Sequence, residues 1–338
     1  MLAGLINPER GFDPVGPALP DPFTSRPIAQ SPMRGIAFKL ASVAVLLSMA
    51  SLLKASQGVP VGQLIFFRSF FAILPIIIFL AWRGELLAGI KTERPMAHVW
   101  RGLIGVGGMG FGFFALTKLP LPEAVAIGYA MPLLIVVFGA VLLKENVRLY
   151  RWTAVAVGMV GVAIVMWPRL TIFSGTGGPP NDLTIGALSS LTAAVFAAFA
   201  TMHVRKLVQT ERSATIVLYF SIMCTLVGLL TLPFGWIWPS TEQAIFLVGS
   251  GIAGGIGQIL LTEAYRHADV SVVAPFDYTS LILAIIVGYV FFNDIPTVQM
   301  MVGGAIVVAA GLFIIWRERA LGLERGKARP YVPPPPGG

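Results

Sequence analysis

Few residues of this chain could do chemistry, and they stand out because they interrupt apolar runs of about 20 residues. Arg68 falls in VGQLIFFRSFFAILPIIIFLAW, residues 61–82, about seven residues from its start, or ~10 Å at the helical rise of 1.5 Å per residue. A charge near the middle of a membrane span costs roughly 2.5–3.5 kcal/mol. It therefore needs a polar cavity or a carboxylate. Arg68 suits a substrate carboxylate or phosphate; the alternatives are an ion pair with Glu123 at matched depth, or snorkelling to the headgroups. Asp277 follows Pro275 in the polar patch Phe276-Asp277-Tyr278-Thr279-Ser280. Proline removes a backbone donor and frees a carbonyl one turn back. Asp277 could then accept a substrate amine or carry a proton; the alternative is a hydrogen bond to a facing hydroxyl.

Tyr129 and Tyr278 each present an apolar face and a hydroxyl, which suits either a cavity wall or packed helix contacts. Gln258 is a third polar candidate for the cavity. Glu263 and Arg266, three residues apart, fit a surface pair on one helix face or a gate contact. His98 and His267 fall at span ends and read as solvated. Three scattered histidines and one cysteine, Cys224, give no metal-ligand spacing and no disulfide, and no cofactor is expected. A membrane enzyme acting on lipid would need clustered acids, bases or ligands at one membrane face. Arg68, Glu263 and Asp277 make no such cluster, so these residues point to binding and away from catalysis.

The elements that position them follow from composition. Of 338 residues, 56% are hydrophobic and only 12% charged, with mean hydropathy +0.81. Soluble domains carry about 25% charged residues, so an ordinary soluble enzyme and a disordered chain are both excluded. The fold class is an all-α integral membrane protein, because strands with open edges cannot be satisfied in lipid. Ten spans are expected at about 34–54, 61–82, 97–117, 121–143, 150–168, 183–204, 213–236, 243–265, 270–292 and 298–316. Residues 1–33, with seven prolines, read as a disordered cytoplasmic tail and not as a signal peptide. Residues 318–338 read as a second tail.

The bases give the orientation. With the N-terminus inside, 20 of the 24 Lys and Arg lie at the cytoplasmic face, Lys39 and Arg101 among them. Only Lys54, Lys118 and Arg169 lie outside, and Arg68 is left in the membrane. The net charge of +8 is thus a topology signal and not a nucleic-acid surface. Both termini are expected in the cytoplasm, with the chain in the inner membrane.

The chain also repeats itself. Shifted by 149 residues, 102–167 aligns without a gap on 251–316, matching Gly102 with Gly251, Gly105 with Gly254, Gly108 with Gly257, Tyr129 with Tyr278 and Trp167 with Trp316. Lys144-Glu145 falls on Asn293-Asp294. The unit is five helices, 34–168 and 183–317. Five is odd, so the second copy enters the membrane from the opposite side. Inverted repeats of this kind recur in transporters whose halves rock around a central site. The glycine-rich spans 3 and 8 each contain G-x-G-x-x-G, at Gly105 to Gly110 and Gly249 to Gly254. A dinucleotide fingerprint requires a strand, a turn and a helix; inside apolar spans these glycines serve close helix packing or sliding.

The ending of the first unit, PLLIVVFGAVLLKENV followed by VGMVGVAIV, and of the second, APFDYTSLILAIIVGYVFFNDIP followed by VGGAIVVAAGLFIIW, resembles the EamA-type branch of the drug/metabolite transporter superfamily. So do Pro132 and Pro275 early in helices 4 and 9, and the acidic turns at Glu145 and Asp294. The resemblance implies a central cavity bounded by helices 1–4 and 6–9, with helices 5 and 10 peripheral and supporting a homodimer. It implies a secondary transporter of a small polar metabolite, an amino acid or a relative of one, with export favoured. The alternative is an importer of riboflavin or of a nucleoside-like metabolite such as S-adenosylmethionine. Arg68, Tyr129, Gln258, Asp277 and Tyr278 are the expected substrate-binding residues.

Overall fold

A computed structural model describes residues 31–142, 144, 147–170, 181–207, 210–211, 213–268 and 270–327, with side chains except at 88, 205, 206, 213, 266, 270, 271 and 323–327. Most of both expected tails and the turn acid Glu145 lie outside these residues. Among the described residues there is no strand. Nine helical segments are long and apolar enough to cross a membrane, and Ala214–Leu230 is a shorter tenth.

The helices are α1 (Pro32–Ala55), α2 (Val61–Trp82), α3 (Pro95–Lys118), α4 (Leu121–Leu142), α5 (Leu149–Met166), α6 (Asp182–Leu207), α7 (Ser213–Leu230), α8 (Thr241–His267), α9 (Ala274–Phe292) and α10 (Val298–Lys327). Prolines and glycines explain several boundaries. Pro32 and Pro95 sit in the first turns of α1 and α3, where a missing N–H is harmless. The seventh helix stops at Leu230, short of the expected 236. Pro233 lies in a 3-10 turn there, and Gly235 takes a left-handed φ of 88°. The last helix runs to Lys327, past its apolar stretch.

The inverted repeat is visible as geometry. Helices pair across the halves as α1 with α8 and α3 with α6, α2 with α7, α4 with α9, and α5 with α10. Each pairing maps onto itself or its partner when the halves are exchanged. Matched glycines face matched helices. Gly102 lies against Met223 of α7, and Gly251 against Phe71 of α2; Gly108 lies against Phe196 of α6, and Gly257 against Leu46 of α1. Helices α4 and α9 are both interrupted one turn before their main run. Tyr129 ends the segment Leu121–Gly128, and Tyr278 ends a 3-10 turn at Ala274–Tyr278. Pro132 lies just after the first break and Pro275 at the start of the 3-10 turn of the second; a proline cannot donate to the carbonyl one turn back, which weakens an α-helix at such places. Lys144 and Asn293, also 149 apart, are the two non-glycine residues with left-handed φ among those described, at 53° and 54°.

Helices α5 and α10 pack on one another inside the chain. A Cβ at Gly161 would stand 2.8 Å from the Gly303 carbonyl, and one at Gly303 would stand 2.5 Å from the Gly161 carbonyl. Only glycine permits that approach, the usual device for helix association in lipid. Their outward faces carry exposed Val157, Val160, Val302 and Phe313. Six of the seven tryptophans are exposed near span ends, as an interfacial belt requires; Trp236 instead packs on Phe66 and donates its indole N–H to Thr231.

Candidate functional site

Ionisable groups at both ends of the bundle tie the two halves together. At the face reached by the ends of α1 and α9, three bases each hold an acid. Lys54 Nζ lies 3.4 Å from Asp294, Lys118 2.7 Å from Asp182, and Arg169 grips Glu123 with two bonds of 2.9 and 2.6 Å. Asp294 also accepts the Leu121 N–H at 2.9 Å, and Lys54 donates to the Leu119 carbonyl at 2.6 Å. One acid thus joins α1, α9 and the start of α4. Glu123 is buried and used by Arg169, so it is not the partner of Arg68.

The opposite face, where α1 starts and α10 ends, is closed as well. Lys39 Nζ lies 2.6 Å from Asp277 Oδ1 and 3.4 Å from the Tyr265 hydroxyl. The lysine side chain is 2% exposed, the aspartate 47%. Arg83 donates to Glu263 at 3.1 Å, and Arg151 pairs with Glu318 at 2.7 Å. The expected Glu263–Arg266 pair lies outside the described side chains; Arg83 from the other half and His267, 3.8 Å away, are partners of Glu263. Helix α1 therefore carries a lysine near each end, and α9 an aspartate near each end, each pair joining the first half to the second.

His98 is a correction. It was expected in solvent, but it is 3% exposed, stacked 4.7 Å from the Tyr219 ring, with Nε2 3.7 Å from Glu211. Glu211, between α6 and α7, lies beside it. Glu211 accepts from Thr92 Oγ1 at 2.6 Å and from the N–H groups of Glu93 and Arg94 at 3.1 and 3.2 Å. Burial pushes the Glu211 carboxyl up, but the bonds from Thr92, Glu93 and Arg94, with His98, outweigh it and hold the carboxyl below its usual range. A carboxyl depressed in the folded state stabilises above its unfolded value and loses that contribution as pH falls through its folded value. Glu211→Ala is expected to lower the melting temperature by roughly 2–5 °C at neutral pH. That difference should shrink as the pH is taken below the ordinary carboxylate range. A difference unchanged with pH would show that the Glu211 charge is not what holds the two loops.

The five expected binding residues do not form one cluster. Arg68 is 4% exposed. Its Nε faces Met49 Sδ at 3.5 Å, and Gly254 of α8 leaves room for it. Among the described residues no carboxylate lies within ion-pair distance of its guanidinium. Gln258 stands one turn from Gly254 on α8, half-buried. Tyr129 and Tyr278 meet edge to face, 5.0 Å between centroids. The Tyr129 hydroxyl bonds Ser280 Oγ at 2.5 Å and donates to the Asp277 carbonyl at 3.1 Å. Tyr278 turns toward Gly311 of α10 and lines a shallow apolar groove of about 350 Å³ between α9 and α10. These tyrosines join the two interrupted helices across the repeat axis. Lys39 and Lys54 escaped sequence reasoning because both were accounted for as topology charges. The available signal was the depth of Lys39, seven residues inside α1.

Two inverted halves, with ion pairs between them at both faces and, among the described residues, a buried cation without an acid between, make a polytopic membrane transporter. The chain belongs to the EamA-like transporter family, whose match falls on residues 34–167 and again on 184–317. Among curated relatives it is similar to an S-adenosylmethionine uptake transporter of Rickettsia prowazekii, 29% identical over 76% of this chain and 83% of the relative. It is 26% identical to a riboflavin transporter of Vibrio cholerae, covering 89% of this chain and 99% of the relative. It is 28% identical to a pseudopaline exporter of Pseudomonas aeruginosa, covering 80% and 92%. A solved crystal structure, 22% identical, matches 84% of this chain and 97% of its own with a TM-score of 0.61, and it shows the same fold.

Proposed function

We propose that the chain is a secondary transporter that moves a small polar metabolite by alternating access, an amino acid or a metabolite built on one, with export as the favoured direction. The observation that carries this reading is Arg68, buried where α1, α2 and α8 meet and held by no acid among the described residues. A buried charge without a partner is unfavourable, and a substrate carboxylate that arrives and leaves is the partner such a site lacks. Its energy comes from an ion gradient or from the substrate's own gradient, and no bond-making step is proposed. A second reading, uptake of an S-adenosylmethionine-like metabolite or of riboflavin, is favoured by the names of two relatives; the pseudopaline exporter favours the outward direction.

Purified protein in liposomes separates these readings. Saturable counterflow of radiolabelled amino acids is the expected result, and counterflow confined to S-adenosylmethionine or riboflavin selects the second. Flux that does not saturate, or conversion of the solute into a new product, overturns the carrier reading.

We also place the chain in the inner membrane with both termini cytoplasmic, supported by the asymmetry of its bases. Cys224 is buried, so an introduced cysteine can be read alone. Gln57→Cys should react with an impermeant maleimide in intact spheroplasts, and Glu93→Cys only after lysis. The reverse pattern would invert the topology.

A further inference from the structure

A second cation in the bundle, the half-buried Arg101, also has no acid within ion-pair distance among the described residues. Arg101, seven residues into α3 from the other face, lays its guanidinium 4.2 Å from the centre of the Phe220 ring. Its Nε and Nη1 are shut off from solvent and have no hydrogen-bond partner. No carboxylate lies within ion-pair distance of it among the described residues. The two arginines enter from different helices at different depths, yet Met49 beside Arg68 and Phe220 beneath Arg101 pack against the same buried apolar cluster, which includes Cys224. The repeat makes the space for both. A Cβ at Gly105 would stand 2.2 Å from Arg101 Nη1, and one at Gly254 would stand 3.1 Å from Arg68 Nε. Gly105 and Gly254 are repeat partners, 149 residues apart. The sequence therefore keeps a glycine at the same place in each half, and beside each glycine sits an arginine head. The arginines themselves are not a repeat pair, since Ser250 lies opposite Arg101 and the helix that matches α2, around Phe220, holds no base.

The surroundings are apolar and soft: Met49, Val106, Met109 and Phe220 pack against a buried cluster that includes Leu64, Ile65 and Cys224. Two like charges in such a place repel each other, and a single carboxylate would leave one of them uncompensated. Two guanidinium forks each present paired donors suited to a carboxylate or phosphate. We propose that Arg68 and Arg101 together form one dianion site, and that the transported solute carries two negative charges, as a dicarboxylate (an acidic amino acid included) or as a phosphate monoester. This rests on the transport reading for its meaning and deepens it by naming the charge class of the solute.

The test measures binding apart from transport. The full chain in detergent is titrated with L-glutamate, succinate, glycerol 3-phosphate and L-alanine, following melting temperature and calorimetric Kd, for the wild type, Arg101→Gln and Arg101→Lys. The expected result is that at least one dianion binds more tightly than L-alanine. Arg101→Gln should weaken that dianion at least 10-fold while shifting L-alanine less than 2-fold, and Arg101→Lys should fall between. The dicarboxylate and phosphate arms show which source of two charges is meant. Equal loss for dianion and L-alanine would assign Arg101 a structural role and overturn the proposal. So would dianion binding unchanged in Arg101→Gln, or no dianion binding at all. Arg101-dependent dianion binding without counterflow in liposomes would keep the site and overturn the carrier reading, so the two failures are distinguishable.

Discussion

Asp277→Asn is expected to destabilise the protein by about 3–5 kcal/mol, several times more than Lys39→Met, although both remove the same ion pair. The asymmetry follows from burial. The Lys39 side chain is 2% exposed and the Asp277 side chain 47%. Removing the aspartate strands an ammonium group whose remaining neighbours are the Tyr265 hydroxyl at 3.4 Å and the Tyr265 ring at 5.2 Å. Breaking a buried pair from one side typically costs 3–5 kcal/mol, because the surviving charge is left uncompensated. Removing the lysine leaves a half-exposed carboxylate that is still hydrated, and the methionine fills the vacated volume, so about 1 kcal/mol is expected. The double variant Lys39→Met with Asp277→Asn should recover most of the loss. Melting temperatures of the three variants in one detergent decide the matter: equal losses for the two single variants would show that the pair acts as an exposed contact. The pair also bears on transport. It ties α1 of the first half to α9 of the second at one face, while Lys54–Asp294 ties the same two helices at the other. Under the proposed alternating access each face opens in turn, and one of these ties would break while the other holds. Lys39→Met should therefore bias the carrier toward opening at the face where the chain begins.

Much of this architecture was legible from residue types alone, and what escaped was tertiary in kind. Apolar length gave the helices, and the 149-residue shift gave the two five-helix repeats, because both are properties of composition and register. The end of α7 was misplaced because the apolar pattern runs on through Thr231, Leu232, Phe234 and Trp236. Hydropathy does not distinguish a helix from a 3-10 turn held by Pro233 and Gly235. His98 was taken as solvated because its position along α3 is near the helix start; burial came from the distant Glu211 and Tyr219 folding over it. Arg68 was conspicuous because it stands in the middle of an apolar run. Lys39, Lys54 and Arg101 stand near helix ends, where a base has a ready explanation in topology. Whether such a base faces solvent or a carboxylate depends on which helix lies opposite, and that is set by the packing of the two halves.

Arg68→Met is expected to abolish transport and, at the same time, to raise the melting temperature. The two signs come from one fact: the guanidinium is buried and no acid among the described residues holds it. A group that stabilised the fold would lower the melting temperature when removed. Here the change removes an uncompensated charge and leaves an unbranched apolar side chain beside Met49 and Gly254. Replacing buried ionic groups by apolar residues of similar volume is often neutral or stabilising by about 1–4 kcal/mol. Function moves the other way. Taking one partner from a desolvated charge pair costs roughly 2–5 kcal/mol of binding, or at least about 30-fold at 1.4 kcal/mol per tenfold, and a carrier that cannot hold its solute cannot carry it. Arg68→Lys keeps the charge but loses the planar fork, so it should retain part of the transport and none of the gain in stability. Counterflow and melting curves on the same preparations check all four values. A fall in melting temperature for Arg68→Met with transport intact would place Arg68 among the packing residues. A stable protein without transport identifies a cation kept at the expense of the fold, as expected where a solute supplies the missing anion.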